Sequence, residues 1–284
     1  MRVRVGDVRL HVEVEGPGLV ADGPTLRERP TILLLHGGPG FDQSSLRWSF
    51  EPLSDTAQLV YLDHRGQGRS DASSPERWNL DTWIDDVVGL CDVLGLDRPI
   101  ILGHSFGGMV AQGVAIRHPE LPSKLILAST TAKFRTDLAL EMFERLGGEE
   151  ARAVADAYFV APSVTALERF MEVCYPLYGT TQPDPDVRAR IVARPEVGVH
   201  FFADEIHTYD FRDELDTIVC PTLVLAGELD PITPVACSQE LAARIPQAQL
   251  EVVANAGHAP FRDRPEETLG AIRSFVLGGS HPLG

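Results

Sequence analysis

The chain has 284 residues, 44% hydrophobic and 23% charged, enough apolar material for one large core or a core with a small accessory domain. Its formal net charge of -16 argues against nucleic-acid binding, which needs a basic face, and against adsorption to anionic membranes. The four cysteines, Cys91, Cys174, Cys220 and Cys237, are scattered without paired short spacing, so no metal site, disulfide framework or cofactor is expected. The start of the chain alternates like a strand rather than a signal peptide. No apolar run approaches the roughly 18–20 residues of a membrane span, and a cytoplasmic protein is expected.

Residues 3–15 read as an antiparallel hairpin that turns near Gly6-Asp7, with Val8, Leu10, Val12 and Val14 alternating with Arg9, His11, Glu13 and Glu15. Residues 16–29 are rich in Gly and Pro and read as loop. Residues 31–35 (Thr-Ile-Leu-Leu-Leu) form a continuous apolar run, the pattern of a parallel strand buried on both faces. The run ends in His36-Gly37-Gly38-Pro39-Gly40. A glycine-dense loop presents backbone N–H groups with no side chains in the way, as an oxyanion hole or a tight turn requires. Residues 57–62 are the next buried strand, followed by the charged, glycine-containing segment 63–71, to which we assign a structural role. Helical spacing from Leu80 to Leu94, with acidic residues early and Gly95 as a stop, predicts a helix.

Residues 100–104 form another buried strand and run into Gly103-His104-Ser105-Phe106-Gly107. In a strand–turn–helix context this is a nucleophile elbow. The turn is sharp, so the residues two positions either side of the serine must be very small. A helix over 106–118 and a buried strand over 124–129 follow. Buried strands alternating with helices imply a parallel α/β sheet. The rhythm then stops. Residues 132–216 carry four apolar groups at helical spacing, around Leu138–Leu146, Val164–Val173, Val187–Val192 and Phe201–Ile206, punctuated by prolines. They are expected to form a helical cap inserted after the sixth strand, leaving 1–131 and 217–284 as the core. The sheet resumes at 222–226 and 249–253, with a helix over 236–244 between them and a closing helix through Thr268, Ile272 and Val276. Residues 278–284 are expected to fray.

Three residues fall at the C-terminal ends of sheet strands, where open parallel sheets bind ligands: Ser105, Asp230 and His258. A serine hydroxyl needs a base within hydrogen-bond reach, and the base needs a partner that fixes its tautomer. His258 fits the base. Asp230 fits the partner, although Glu228 follows the same strand and remains an alternative. The oxyanion donors are expected to be the N–H of Phe106 and that of Gly38, with Gly37 beside the substrate. His36 adjoins this loop and is placed to shape it by hydrogen bonding. His104 adjoins the nucleophile, but its side chain is expected to point away across the elbow and to pack.

With its order Ser105, Asp230, His258, the chain resembles the α/β-hydrolases, and within them the proline iminopeptidase-like group. The residues that carry the resemblance are His36 to Gly40, the run Asp63-His64-Arg65-Gly66-Gln67-Gly68-Arg69-Ser70, the elbow through Gly108, Gly227 to Asp230, and Gly257-His258. They span about residues 30–275. The resemblance implies an eight-stranded, mostly parallel sheet flanked by helices, and a serine hydrolase of a small ester, amide or lactone. Carbon–carbon hydrolases and non-turnover receptors share the fold. Enzymes of this fold with an aspartate nucleophile are excluded by Ser105. The resemblance also implies that acidic cap residues hold a substrate's free amino terminus, and Glu205 is the candidate among Glu172, Asp204, Asp210, Asp213 and Glu214. The expected partner is a small-molecule substrate, with no nucleic acid and no membrane; the sequence leaves a homo-oligomer open.

Overall fold

The computed structural model describes residues 1–278. Strands β1 (Arg2–Val5) and β2 (Val8–Glu15) form the expected hairpin. Strands β3 (Leu19–Asp22) and β4 (Thr25–Glu28) then pair as a separate antiparallel ribbon, where only loop is expected from sequence. Almost every residue of that ribbon is solvent-exposed. Neither face buries apolar side chains, so it carries no alternation that a sequence could reveal. Strand β5 (Thr31–Leu35) leads through helix α1 (Ser44–Phe50), which has no counterpart in the sequence reading, to β6 (Gln58–Asp63). Helix α2 (Leu80–Leu94), strand β7 (Ile100–His104), helix α3 (Phe106–Arg117) and strand β8 (Lys124–Ala128) follow as expected.

The helical insertion comes next: α4 (Thr136–Val160), α5 (Val164–Val173), α6 (Pro185–Arg190), α7 (Pro195–Ala203) and α8 (Glu205–Thr208). Helix α4 is longer than the apolar group at its start, because the chain kinks at Gly148 (φ 73°) and continues as a second helical stretch to Val160. Strand β9 (Thr222–Gly227), helix α9 (Val235–Arg244), strand β10 (Ala248–Val253) and helices α10 (Pro260–Asp263) and α11 (Pro265–Leu277) complete the fold. Gly278, expected to fray, closes α11 as a left-handed cap whose N–H reaches the Phe275 and Ser274 carbonyls; 279–284 lie outside the described residues.

The eight-stranded sheet has the order β1-β2-β6-β5-β7-β8-β9-β10. Only β2 runs against its neighbours; from β6 to β10 every pairing is parallel. The apolar runs are buried on both faces. In β5, Leu33 and Leu35 enter the core shared with α2, α3 and the inserted helices, while Ile32 and Leu34 enter the core shared with α1 and α11. The order reverses between β5 and β7, so the loops after these two strands diverge and open a crevice at the strand ends.

The charged segment after β6 clamps this crevice from below, in line with its expected structural role. Buried Asp63 accepts hydrogen bonds from the N–H groups of Gln43 (2.9 Å) and Arg69 (2.9 Å). The guanidinium of Arg65, 3% exposed, grips Asp86 of α2, 5% exposed, through two bonds of 2.7 and 2.8 Å. Removing one partner of such a pair leaves a buried charge uncompensated, a larger effect than the net strength of the pair itself. Asp86→Ala is therefore expected to lower unfolding stability by about 3 kcal/mol, measured by urea denaturation at neutral pH.

Candidate active site

Ser105 sits between β7 and α3 with φ 53° and ψ −118°, a conformation that costs a non-glycine residue about 1–3 kcal/mol. Its neighbours hold it there. The Ser105 N–H donates to the Ala128 carbonyl (3.0 Å), and its carbonyl accepts from the Thr130 hydroxyl (2.7 Å). A Cβ at Gly103 would overlap the Gly107 carbonyl, and one at Gly107 would overlap the Leu35 carbonyl. The two glycines are what let strand, turn and helix come this close. The serine Oγ makes no capping bond to α3 and lines a cavity of about 950 Å³.

His258 lies on the loop after β10, and its ring faces the same cavity. Its Nδ1–H donates to Asp230 Oδ2 at 2.8 Å. The carboxylate has only acceptors to offer, so the proton sits on Nδ1 and leaves Nε2 as the basic nitrogen. Asp230 is fully buried and also accepts from the Ile232 N–H (2.9 Å), the Thr233 N–H (3.0 Å) and the Thr233 hydroxyl (2.8 Å). Burial alone would raise its pKa; His258 and the Thr233 donors outweigh that and hold it below the ordinary carboxylate value. Glu228 is spent elsewhere, accepting from the Asn255 N–H (2.9 Å), so the geometry separates the two acids that sequence leaves open.

The loop after β5 is held from several sides. His36 Nδ1–H donates to the Gly37 carbonyl (2.7 Å), and its Nε2 accepts from the His64 N–H (3.2 Å). In a trans peptide the C=O and the following N–H point in opposite directions. Fixing the Gly37 carbonyl on His36 therefore turns the Gly38 N–H away from that histidine. Gly37 and Gly38 both line the cavity, and among the described residues neither the Gly38 N–H nor the Phe106 N–H has a hydrogen-bond partner. Gly40 donates to the Gln67 side-chain oxygen (2.8 Å), and its carbonyl accepts from the Arg194 N–H (2.7 Å), just before α7. Asp42, also buried, accepts from the N–H groups of Ser44 and Val192 (2.9 Å each) and pairs with Arg69 (2.5 Å). His64, fully buried, supports this wall with its ring against those of His36 (4.8 Å between centroids) and Phe106 (5.4 Å); burial pushes its pKa well below the ordinary histidine value.

Two sequence-based expectations need correction. His104 does not point away from the chemistry. Its ring lies 4.9 Å from that of His258, its Nε2–H donates to the His258 carbonyl (2.9 Å), and it lines the cavity. Its side chain folds back over the elbow because Gly37 leaves room; a Cβ there would sit 2.8 Å from His104 Nδ1. Burial lowers the His104 pKa to about 3, which keeps the ring neutral. Glu205 does not face the cavity. Both its carboxylate oxygens lie 2.9 Å from the N–H of Leu80, the first residue of α2, so it covers a helix end instead of binding an amine. The remaining cavity walls are largely apolar: Met109, Phe134, Tyr158, Phe170, Phe201 and Phe202 line the buried end. Tyr158, in the second half of α4, has no place in the sequence reading. The spacing of Ala155, Tyr158 and Phe159, apolar at three and four residues, is the signal that marks its helix.

Burial raises the pKa of Glu205 to about 7 against the pull of the Leu80 N–H. Its folded pKa thus exceeds its unfolded value, so between the two the folded state holds the extra proton and stability falls as pH rises through that window. Glu205→Gln is expected to behave like the wild type at pH 4 and to be more stable by about 1 kcal/mol at pH 8, a figure discounted for its partial exposure. Denaturant titrations of both proteins at the two pH values provide the check.

The model of the alpha/beta hydrolase fold family matches residues 30–265. A relative from Caulobacter sp. (strain K31), "Putative carbamate hydrolase RutD", is 30% identical over 86% of this chain and 94% of its own. A proline iminopeptidase from Clostridioides difficile (strain 630) is 30% identical over 89% of this chain and 92% of its own. The structure of a thermophilic esterase from Thermogutta terrifontis superposes with a TM-score of 0.74 at 27% identity, covering 98% of both chains. The chain belongs to the alpha/beta hydrolase fold family and is a hydrolase.

Proposed function

We propose that the chain is a serine hydrolase that cleaves small, predominantly apolar esters or lactones through an acyl-enzyme. The observation that carries this reading is the Asp230–His258 pair on the wall of the cavity that Ser105 and Gly38 also line, with the N–H groups of Gly38 and Phe106 unpartnered among the described residues. Ser105 attacks the substrate carbonyl while His258 Nε2 takes the hydroxyl proton. Asp230 keeps His258 in the required tautomer and stabilises the imidazolium that forms. The N–H groups of Phe106 and Gly38 stabilise the developing oxyanion, each contributing about 10²–10³ in rate. His258 then gives its proton to the leaving group, and water releases the acyl group by the same steps in reverse roles. Residues 132–216 act as a lid that sets the substrate. No helix among the described residues is long and apolar enough to cross a membrane.

Ester or lactone cleavage is favoured over release of an N-terminal proline by the cavity's chemistry. Binding a substrate ammonium calls for a carboxylate close to the scissile bond. The carboxylates that line the cavity, Glu168, Glu172 and Asp184, are all solvent-exposed, and Glu172 already pairs with Arg169 (2.7 Å). The amide reading is kept by the iminopeptidase relative and is separated by a paired screen of proline β-naphthylamide against short-chain esters and lactones.

Ser105→Ala is expected to abolish p-nitrophenyl ester turnover and labelling by a fluorophosphonate; unchanged labelling would overturn the assignment. Asp230→Asn is expected to leave labelling detectable but to lower kcat by about 10⁴, because the asparagine amide imposes the wrong tautomer on His258. Stopped-time labelling and steady-state kinetics of the two variants read these effects.

A further inference from the structure

The buried end of the cavity is built mainly of rings, and Tyr158 among them ends in a polar group that no group among the described residues uses. Tyr158 is 2% exposed. Its ring is packed on three sides, 5.1 Å from Phe170, 5.0 Å from Phe202 and 6.1 Å from Phe159. Among the described residues its hydroxyl has no hydrogen-bond partner. Its position is fixed by a second observation. A Cβ built at Gly198 would sit 4.0 Å from the Tyr158 oxygen and 2.9 Å from the Pro39 carbonyl. Gly198, Pro39 and Tyr158 all line the cavity. The phenol therefore opens on the cavity beside the loop that presents the Gly38 N–H, where α7 approaches that loop with a bare Cα.

With no protein partner, the hydroxyl is left to whatever occupies the cavity, and a ligand that displaces water there without accepting from it leaves it unsatisfied. Burial also raises its pKa above the ordinary phenol value, which keeps it a neutral donor. The surrounding rings hold it in one orientation, so a ligand that accepts from it pays little ordering entropy. Hydrogen-bond selection of this kind discriminates far better than apolar fit, because the wrong ligand leaves the protein group unpaired.

Resting on the serine-hydrolase reading, we propose that Tyr158 is a specificity-determining donor, and that the substrate is an apolar, aryl-bearing carbonyl compound with a second acceptor oxygen that binds the Tyr158 hydroxyl. The aryl body fills the ring-lined chamber, and the second oxygen lies on the acyl side of the scissile bond.

Binding to the Ser105→Ala protein tests this without turnover. With 4-oxo-4-phenylbutanamide and 4-phenylbutanamide as probes, calorimetry should find the keto compound bound about tenfold more tightly. Adding Tyr158→Phe should bring the two within about twofold. Equal binding by Ser105→Ala, or a preference that survives Tyr158→Phe, overturns the proposal. Turnover of the matching p-nitrophenyl esters, each scaled by its alkaline hydrolysis rate, should show the same preference in KM. A purely structural role would instead lower both esters alike. Should Tyr158→Phe fail to fold, infrared spectra of the keto amide labelled with ¹³C at its ketone and bound to Ser105→Ala replace it. A ketone band below its position in an apolar solvent supports the hydrogen bond, and an unshifted band refutes it. Failure of the catalytic reading is distinguishable, because it shows as residual turnover by Ser105→Ala and leaves the binding ratio untouched.

Discussion

The site depends on how closely three pieces of backbone approach one another at the elbow. Strand β7 must end, turn and become α3 within the space left by the Leu35 carbonyl on one side and the Gly107 carbonyl on the other. No side chain fits there. The reward for that crowding is placement: the serine is lifted out of the sheet, the first N–H of α3 is left unspent, and the end of β5 lies alongside. Strain at Ser105 persists because hydrogen bonds to Ala128 and Thr130 fix both sides of the residue. The parallel sheet supplies the stiffness behind this, since its central strands are packed on both faces.

Around that fixed point the protein spends its polar groups on orientation. Asp230 collects four donors, and only one of them is His258. His104 ties the loop that carries His258 to the strand that leads into Ser105 through the His258 carbonyl. His36 holds the Gly37 carbonyl, and with it the direction of the next N–H. Three histidine rings, those of His258, His104 and His36, thus make hydrogen bonds around the site, and the last two make them to backbone atoms. A large apolar cavity with so ordered a floor suits chemistry on a neutral carbonyl, in which charge appears only during the reaction.

The strands, the elbow and the order of Ser105, Asp230 and His258 were legible in the sequence because each rests on a local signal: a continuous apolar run, a glycine pair at fixed spacing, a loop after a strand. The β3–β4 ribbon was not, since an exposed ribbon needs no apolar pattern. Helix α1 is seven residues long, too short for its periodicity to stand out. Glu205 looked like one of a cluster of acids, and only the approach of α8 to the start of α2 shows what it does. His104 was misread for a related reason. Which way a side chain folds beside a tight turn depends on room left by another segment, here Gly37. Tyr158 lay beyond the Gly148 kink, where one helix continues as another in a new direction.

The bond between the Arg194 N–H and the Gly40 carbonyl, with that between the Val192 N–H and Asp42, has a mechanical corollary. These contacts join the insertion to the very loop that offers the Gly38 N–H. The chain leading into α7 cannot lift without breaking both bonds. Any raising of this segment would remove two of the bonds that hold the loop and leave Gln67 and Arg69 to frame it.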